Sequence, residues 1–448
     1  MPQRVRMSGL NVVRIANAIK SIMNLEGCSS SMPFHKATIT LLLGFAVREC
    51  FSFWTGHPSD FELWVRLGYA MNHGGNPYGV LPFVPGLSYA NVFSVGNTAT
   101  IAYLPFWPLV TGLMYALYAA TGIQNRFLYY FLLKQPPIIG DVVVGYLLYS
   151  YVSSRATSSA GFWALSTWLL SPFTILISSV WGMFDSIAIA LMLASIMTCS
   201  GLKRPIWISL AVFAKSIPII YAAPLTLRRH TRPTDLIAFA VAVALPVTFS
   251  VATFMAMNWP FSVASATLGS TIAKGGGSMS IWDILYFLNY LGLFVLQPAT
   301  YAALGLVWIP AVVILTVVGI RRFAGKSDPE LVQILLVCTL VFLVFKAQIT
   351  EQYALYFFAL ATIDIALWHP GRGRMLFASI AVATIYLIVN NYFLVRFLSP
   401  VYPGFVSFEE VVQVQFGLTR SVIDLLLGTA FTSLNLRYLT AVWKRQNL

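Results

Sequence analysis

The feature that most constrains this chain is the recurrence, from Ala37 to Leu439, of long apolar runs. A bilayer's hydrocarbon core takes about 20 apolar residues per helical span, and soluble chains carry roughly a quarter charged residues. Here only 10% of the 448 residues are charged and 58% are hydrophobic. Most of such a surface cannot face water, and backbone polar groups in lipid must be paired inside helices. The expected fold class is therefore all-α integral membrane: a multi-pass helical bundle with about 11–13 spans, some broken or re-entrant, and two structured extracytoplasmic loops. Spans are expected near 37–56, 101–121, 137–153, 160–179, 186–201, 234–257, 299–320, 330–346, 351–368, 375–396 and 416–441.

A net charge of +13 in a soluble protein would suggest nucleic acid, but its placement argues otherwise. The cations gather in the N-terminal segment, in short clusters such as Arg228-Arg229-His230-Thr231-Arg232, Arg321-Arg322 and Arg372-Gly373-Arg374, and in the C-terminal tail. That is the positive-inside pattern, so no nucleic acid is expected as partner and both termini are expected in the cytoplasm. Cys28, Cys50, Cys199 and Cys338 are scattered without metal spacing or a disulfide framework. Residues 1–35 are basic and weakly amphipathic without a signal-peptide core, and read as a cytoplasmic interfacial segment. A transmembrane module over 36–257 follows, with an extracytoplasmic loop at 55–100, then a second such loop at 258–298 and a C-terminal transmembrane module over 299–448.

Two regions, 122–136 and 205–227, decide the topology. Each holds an internal breaker, Lys134-Gln135-Pro136-Pro137 and Lys215-Ser216-Ile217-Pro218, and proline removes a donor and clashes with the preceding turn. Reading 122–134 as a short entering helix and 205–227 as a re-entrant pair keeps Arg155 and Lys203-Arg204 cytoplasmic. The same reading sends Asp141, Asp185 and Lys215 to the outer half of the membrane. Irregular backbone at that depth requires a protein-lined or wet cavity. In the first loop, Asp60 to Ala70 has apolar residues at helical spacing, as in a helix lying on the interface, and stops at Gly74-Gly75-Asn76-Pro77-Tyr78-Gly79. The second loop carries Lys274-Gly275-Gly276-Gly277-Ser278 and then an amphipathic helix with Trp282, Asp283 and Tyr286.

Charged groups in a bilayer are costly, ~2.5–3.5 kcal/mol each, and mark functional sites. Asp60, Glu62, Arg66, Lys134, Asp141, Asp185, Lys215, Lys274, Lys346 and Glu351 all fall in or near the outer leaflet on this topology. Cations suit a lipid phosphate, and a carboxylate can take a proton from a hydroxyl. When the leaving group is already a stable phosphate, one base plus cations suffices, unlike glycoside hydrolysis with its two carboxylates. Each residue also has a structural reading. Asp60 can cap the helix it begins, and Asp141 and Asp185 can pair with Lys134 or Lys215 to hold broken helices. Lys346 and Glu351 can form a rim ion pair, and Arg48-Glu49 a structural pair or a snorkelling charge.

The stretch His57-Pro58-Ser59-Asp60-Phe61, then Gly75-Asn76-Pro77-Tyr78 and Ala102-Tyr103-Leu104-Pro105, resembles the first luminal loop of GT-C fold glycosyltransferases, most closely the catalytic subunit of GPI mannosyltransferase I. Further stretches follow in the same order: Gly140-Asp141, Leu170-Ser171-Pro172, Ser178 to Ser186, Ala214 to Pro218, and Phe345 to Tyr353. The resemblance implies an enzyme of the plasma membrane of a prokaryote or of the endoplasmic reticulum. It would use a polyprenyl- or dolichyl-phosphate sugar donor, in particular the mannose form, and a glycolipid or lipid-linked glycan acceptor, with room for a small membrane subunit. Asp60 takes the place of the second acid of an Asp-x-Asp motif and is the expected catalytic base. Lys215, Lys346 and Lys274 are expected at the donor phosphate. Asp141, Asp185, Trp181, Glu62, Arg66, Glu351 and Gln352 are expected to support the site. Pro58 stands where the first acid would be, which leaves a weaker place for a divalent cation; no other cofactor is implied.

A different class, a secondary transporter or lipid flippase, also uses intramembrane charges and broken helices. It predicts paired repeats with matching breaks, which the sequence does not display, and has little use for two structured outer loops.

Overall fold

A computed structural model describes residues 34–90, 101, 103–198, 202–227, 230–262, 279–293, 295, 297–323 and 327–445. Among these, all regular structure is helical. Lys274 and residues 1–33 lie outside the described residues.

The helices are α1 Phe34–Ser52, α2 Asp60–Asn72, α3 Phe106–Ala120, α4 Arg126–Ser153, α5 Ser158–Leu169, α6 Pro172–Trp181, α7 Asp185–Met197 and α8 Lys203–Ala214. After the turns Ile217–Thr226, which we label α9, come α10 Pro233–Ala256, α11 Asp283–Tyr290, α12 Pro298–Leu306 and α13 Trp308–Arg322. The last four are α14 Asp328–Phe345, α15 Ala354–Leu367, α16 Gly373–Asn390 and α17 Phe405–Lys444. The core forms where α4 packs on α5 and α7, α7 on α8, and α14 on α13, α15 and α17.

Among the described residues six helices are long and apolar enough to cross a membrane: Arg126–Ser153, Pro233–Ala256, Ala302–Arg322, Asp328–Phe345, Pro370–Asn390 and Phe405–Lys444. The pair α5 and α6, bent by 47°, makes a seventh if counted as one broken span. That pattern is consistent with a multi-pass membrane protein, with fewer full spans than the 11–13 expected. The shortfall has a physical cause. Helices α3, α7, α8 and α15 contain only 12 to 15 residues, because each stops or starts at a polar break.

One expected break is absent. Helix α4 runs straight through Pro136 and Pro137. Each proline deletes an i→i−4 bond, here those to Leu132 O and Leu133 O, and the helix is held through that gap by its packing on α5 and α7, with Ser186 Oγ of α7 donating to Pro137 O at 2.8 Å. The other break is real. Helix α8 ends at Lys215, whose backbone is extended, and a 3₁₀ turn begins at Ile217.

Helix α2 also departs from expectation. It does not lie open on an interface: nine of its residues, Glu62 and Arg66 included, are buried. Its cover is the chain that returns after the turn at Gly74, whose φ of +71° favours glycine. Arg66 donates to Ala90 O at 2.9 Å and to Glu62 at 2.7 Å, and Glu62 accepts from Tyr89 N at 3.0 Å.

Two bent elements are held by buried polar contacts. Arg48 pairs with Asp141 at 2.7 Å, not with Glu49, and donates to Leu169 O at 2.9 Å and Thr174 Oγ1 at 3.0 Å. It thereby satisfies groups freed by the bend between α5 and α6. At its far end α6 widens into a π-helical stretch, Leu176–Trp181, closed by Gly182 at φ +93°. A Cβ at Gly182 would meet the Phe61 ring at 2.5 Å, so this turn needs glycine.

Candidate active site

The polar breaks meet at one end of the bundle. Asp60 is the first residue of α2, Trp181 the last of α6, Asp185 the first of α7, and Lys215 the residue that ends α8. Glu351 and Gln352 lie in the turn joining α14 to α15, and Arg396 in the turns after α16.

The Trp181 indole Nε1 donates to Asp60 Oδ2 at 2.9 Å. The His57 ring stacks on Trp181 with centroids 4.8 Å apart, and the His57 backbone N donates to Trp181 O at 3.4 Å. His57 Nδ1 accepts from the backbone N–H of Ser59 and Asp60, at 3.2 and 3.1 Å. The imidazole thus does the work of an N-cap, which Ser59 does not perform. Burial, then the Arg396 guanidinium, hold the His57 pKa well below its ordinary value. His57 is therefore neutral, with its proton on Nε2, and its 3.5 Å approach to Asp60 Oδ2 is not an ion pair. The Asp60 side chain is 34% exposed, unlike its buried neighbours.

Beside it, Lys215 Nζ reaches Asp185 Oδ2 at 2.5 Å. This pair staples the start of α7 to the end of α8. The ammonium faces an aromatic wall, 4.9 Å from the Phe184 ring, 5.6 Å from Tyr103 and 5.8 Å from Tyr353. Asp60 acts electrostatically on Lys215, Tyr103, Tyr353 and Glu351, and Arg396 on His57 and Glu351. These groups form one electrostatic cluster. Glu351 is buried and accepts from Asn390 Nδ2 at 2.8 Å.

Of the sequence candidates, Asp60, Trp181, Asp185, Lys215 and Glu351 come together in this cluster, with Gln352 buried beside Glu351. Lys346 connects to it through aromatic rings: its Nζ lies 5.7 Å from the Trp308 ring, which meets Phe342, which in turn meets Tyr353. Glu62 and Arg66 face the returning loop, and burial raises the Glu62 pKa against the opposing hydrogen bonds from Tyr89 and Arg66. Asp141 serves the α5–α6 bend through Arg48. Lys274 lies outside the described residues.

Three contributors escaped the sequence reading as site residues. Arg396 and Phe397 were assigned to a span or its edge, yet Phe397 packs on both His57 and Trp181, with centroids 5.8 and 5.7 Å apart, and accepts from Gly56 N at 2.9 Å. The signal was a lone arginine followed by Ser399-Pro400 at the end of an apolar run. His57 has no signal of its own in the sequence beyond its place in the His57-Pro58-Ser59-Asp60-Phe61 stretch. Among the described residues no group of three or more His, Cys, Asp or Glu is arranged to hold a metal ion. No protein-family model matches this chain, and no curated protein matches it.

Proposed function

We propose that this protein is a membrane glycosyltransferase that moves a hexose, mannose being the sugar its resemblance favours, from a polyprenyl-phosphate donor to a hydroxyl of a glycolipid or lipid-linked glycan on the extracytoplasmic side. In that reaction Asp60 takes the proton of the acceptor hydroxyl, the hydroxyl oxygen bonds to the sugar C1, and the C1–O bond to phosphate breaks. The polyprenyl phosphate leaves and the anomeric centre inverts. Lys215 and Arg396 are the cations nearest the developing phosphate charge, and Lys346 lies behind them. Fixed charges of this kind stabilise a transition state without reorganising.

The reading rests on one observation: a partly exposed carboxylate, oriented by an indole N–H, acts electrostatically on a buried, Asp185-paired lysine where several helix ends meet. An apolar cleft of about 740 Å³ adds support. It is lined by Leu104, Ser216, Val243, Pro246, Ser250 and Phe254. Leu104 and Ser216 are the chain neighbours of Tyr103 and Lys215, so an isoprenoid chain in the cleft would end with its phosphate at the cluster. Helix α10, which forms one wall, keeps most of its surface exposed, as a lipid-facing helix does.

The test is purified protein incubated with polyprenyl-phosphate mannose and a membrane lipid extract as acceptor. Wild-type protein transfers the sugar or slowly hydrolyses the donor, and Asp60→Asn lowers the rate by about 10²–10⁴, the usual worth of a general base. Full activity in Asp60→Asn refutes Asp60 as base. An intact donor together with protein-dependent solute transport in vesicles replaces the transferase by a transporter.

A further inference from the structure

Lys134 is fully buried on α4, and the geometry assigns it a task that the ion pairs of this end do not share. Its Nζ donates to Thr55 O at 2.6 Å, Thr55 Oγ1 at 2.8 Å and Ser179 O at 2.6 Å, and it lies 4.9 Å from the Phe61 ring. Among the described residues no carboxylate forms an ion pair with it. An ammonium has three N–H donors, and here four oxygens share them, Val180 O being the most distant at 3.4 Å. None is left for a ligand, so Lys134 does not hold a phosphate.

The oxygens belong to two separate segments. Thr55 stands two residues before His57, and Ser179 stands two residues before Trp181. Those residues then meet: His57 N donates to Trp181 O, the two rings stack, His57 Nδ1 receives the Asp60 N–H, and Trp181 Nε1 donates to the Asp60 carboxylate. Ser179 O is also one of the last carbonyls of the π-helical stretch, which have no partner within their own helix. A cation is favoured there.

We infer that Lys134 is a positioning residue for Asp60: by clamping the 55–57 segment to the end of α6 it fixes the Trp181–Asp60 hydrogen bond, and with it the direction in which the carboxylate faces. The inference rests on the reading of Asp60 as base. Displacing a reacting group by about 1 Å can cost on the order of 10²-fold in rate.

The test compares Lys134→Met, Trp181→Phe and the double variant in the transfer assay. Lys134→Met keeps the apolar stem and removes the donors. It is expected to lower kcat by about 10²-fold with the donor KM nearly unchanged. The double variant is expected to be no slower than the slower single variant, since both changes break one chain of contacts. Effects that multiply, or a change confined to KM, overturn the inference. Should Lys134→Met fail to fold, Thr55→Val, which removes only one of the four acceptors, carries the same comparison with a smaller loss. Hydrogen exchange of full-length protein gives a readout independent of activity. In Lys134→Met, or Thr55→Val in its place, residues 55–60 and 179–184 exchange faster together while 364–372 stay protected. Unchanged exchange in both segments overturns the clamp even if the wild-type protein transfers no sugar, an outcome that sinks the transferase reading instead.

Discussion

At the residue scale, His57 combines a capping role with a titratable ring. Its neutral form accepts the Ser59 and Asp60 amides, and a proton on Nδ1 would remove both hydrogen bonds. Its folded pKa lies below the ordinary 6.5, so the unfolded chain binds a proton that the folded chain does not. The stability this group contributes is therefore complete above pH 6.5 and falls as the pH drops below it, by up to about 1.4 kcal/mol per pH unit. Melting curves of purified protein in detergent should show a lower Tm at pH 5 than at pH 7.5. His57→Asn supplies an acceptor for the same amides without titrating near neutrality, and should flatten the part of that drop owed to His57. An identical slope in wild type and variant would remove His57 from this role. Asp60 itself was legible in the sequence because an acid opened an apolar-periodic helix after a Pro-Ser pair. Its partner Trp181 was legible only as a neighbour in a motif, since 121 positions separate them.

At the element scale, short helices end on paired charges. The Asp185–Lys215 pair is almost wholly buried, and removing one member strands the other, a loss of ~3–5 kcal/mol. Asp185→Asn and Lys215→Met are each expected to lower Tm sharply in detergent, and the double variant to regain much of the loss. If Lys215 also meets the donor phosphate, the refolded double variant stays inactive; a double variant that transfers sugar at the wild-type rate would leave the pair a staple only. The break after α8 was readable because Lys215-Ser216-Ile217-Pro218 sits inside an apolar run. The one expected after Lys134 does not occur for a specific reason: local rules count the hydrogen bonds proline deletes, whereas α4 is held along both sides of the gap by its packing on α5 and α7.

At the scale of the whole molecule, the charges divide between two ends. Opposite the Asp60 cluster, Arg155 pairs with Asp328 at 2.6 Å and Arg445 with Glu330 at 3.4 Å. Asp364 there receives Arg372 at 2.8 Å, His369 at 2.8 Å and the Tyr438 hydroxyl at 3.0 Å. This network ties α15, α16 and α17 together. With the positive-inside bias, it is the end expected in the cytoplasm. In a background with the four native cysteines replaced, Ile123→Cys, exposed before the start of α4, should react with a membrane-impermeant maleimide added from the extracytoplasmic side. Ala156→Cys, exposed after its end, should react only from the cytoplasm. The reverse pattern would put Asp60 on the wrong face for a donor on the extracytoplasmic side.

What the sequence determined by itself was the helical class, the partition of charge along the chain and the identity of the acids and cations worth watching, because long apolar runs and the high cost of bare charge in lipid are local, additive properties. Which acid meets which cation was decided only in three dimensions. Asp141 chose Arg48 at a separation of 93 positions, and Lys134 gives its hydrogen bonds to four neutral oxygens. A buried charge takes whatever partner packing brings within reach, and packing depends on helix ends that no single segment specifies.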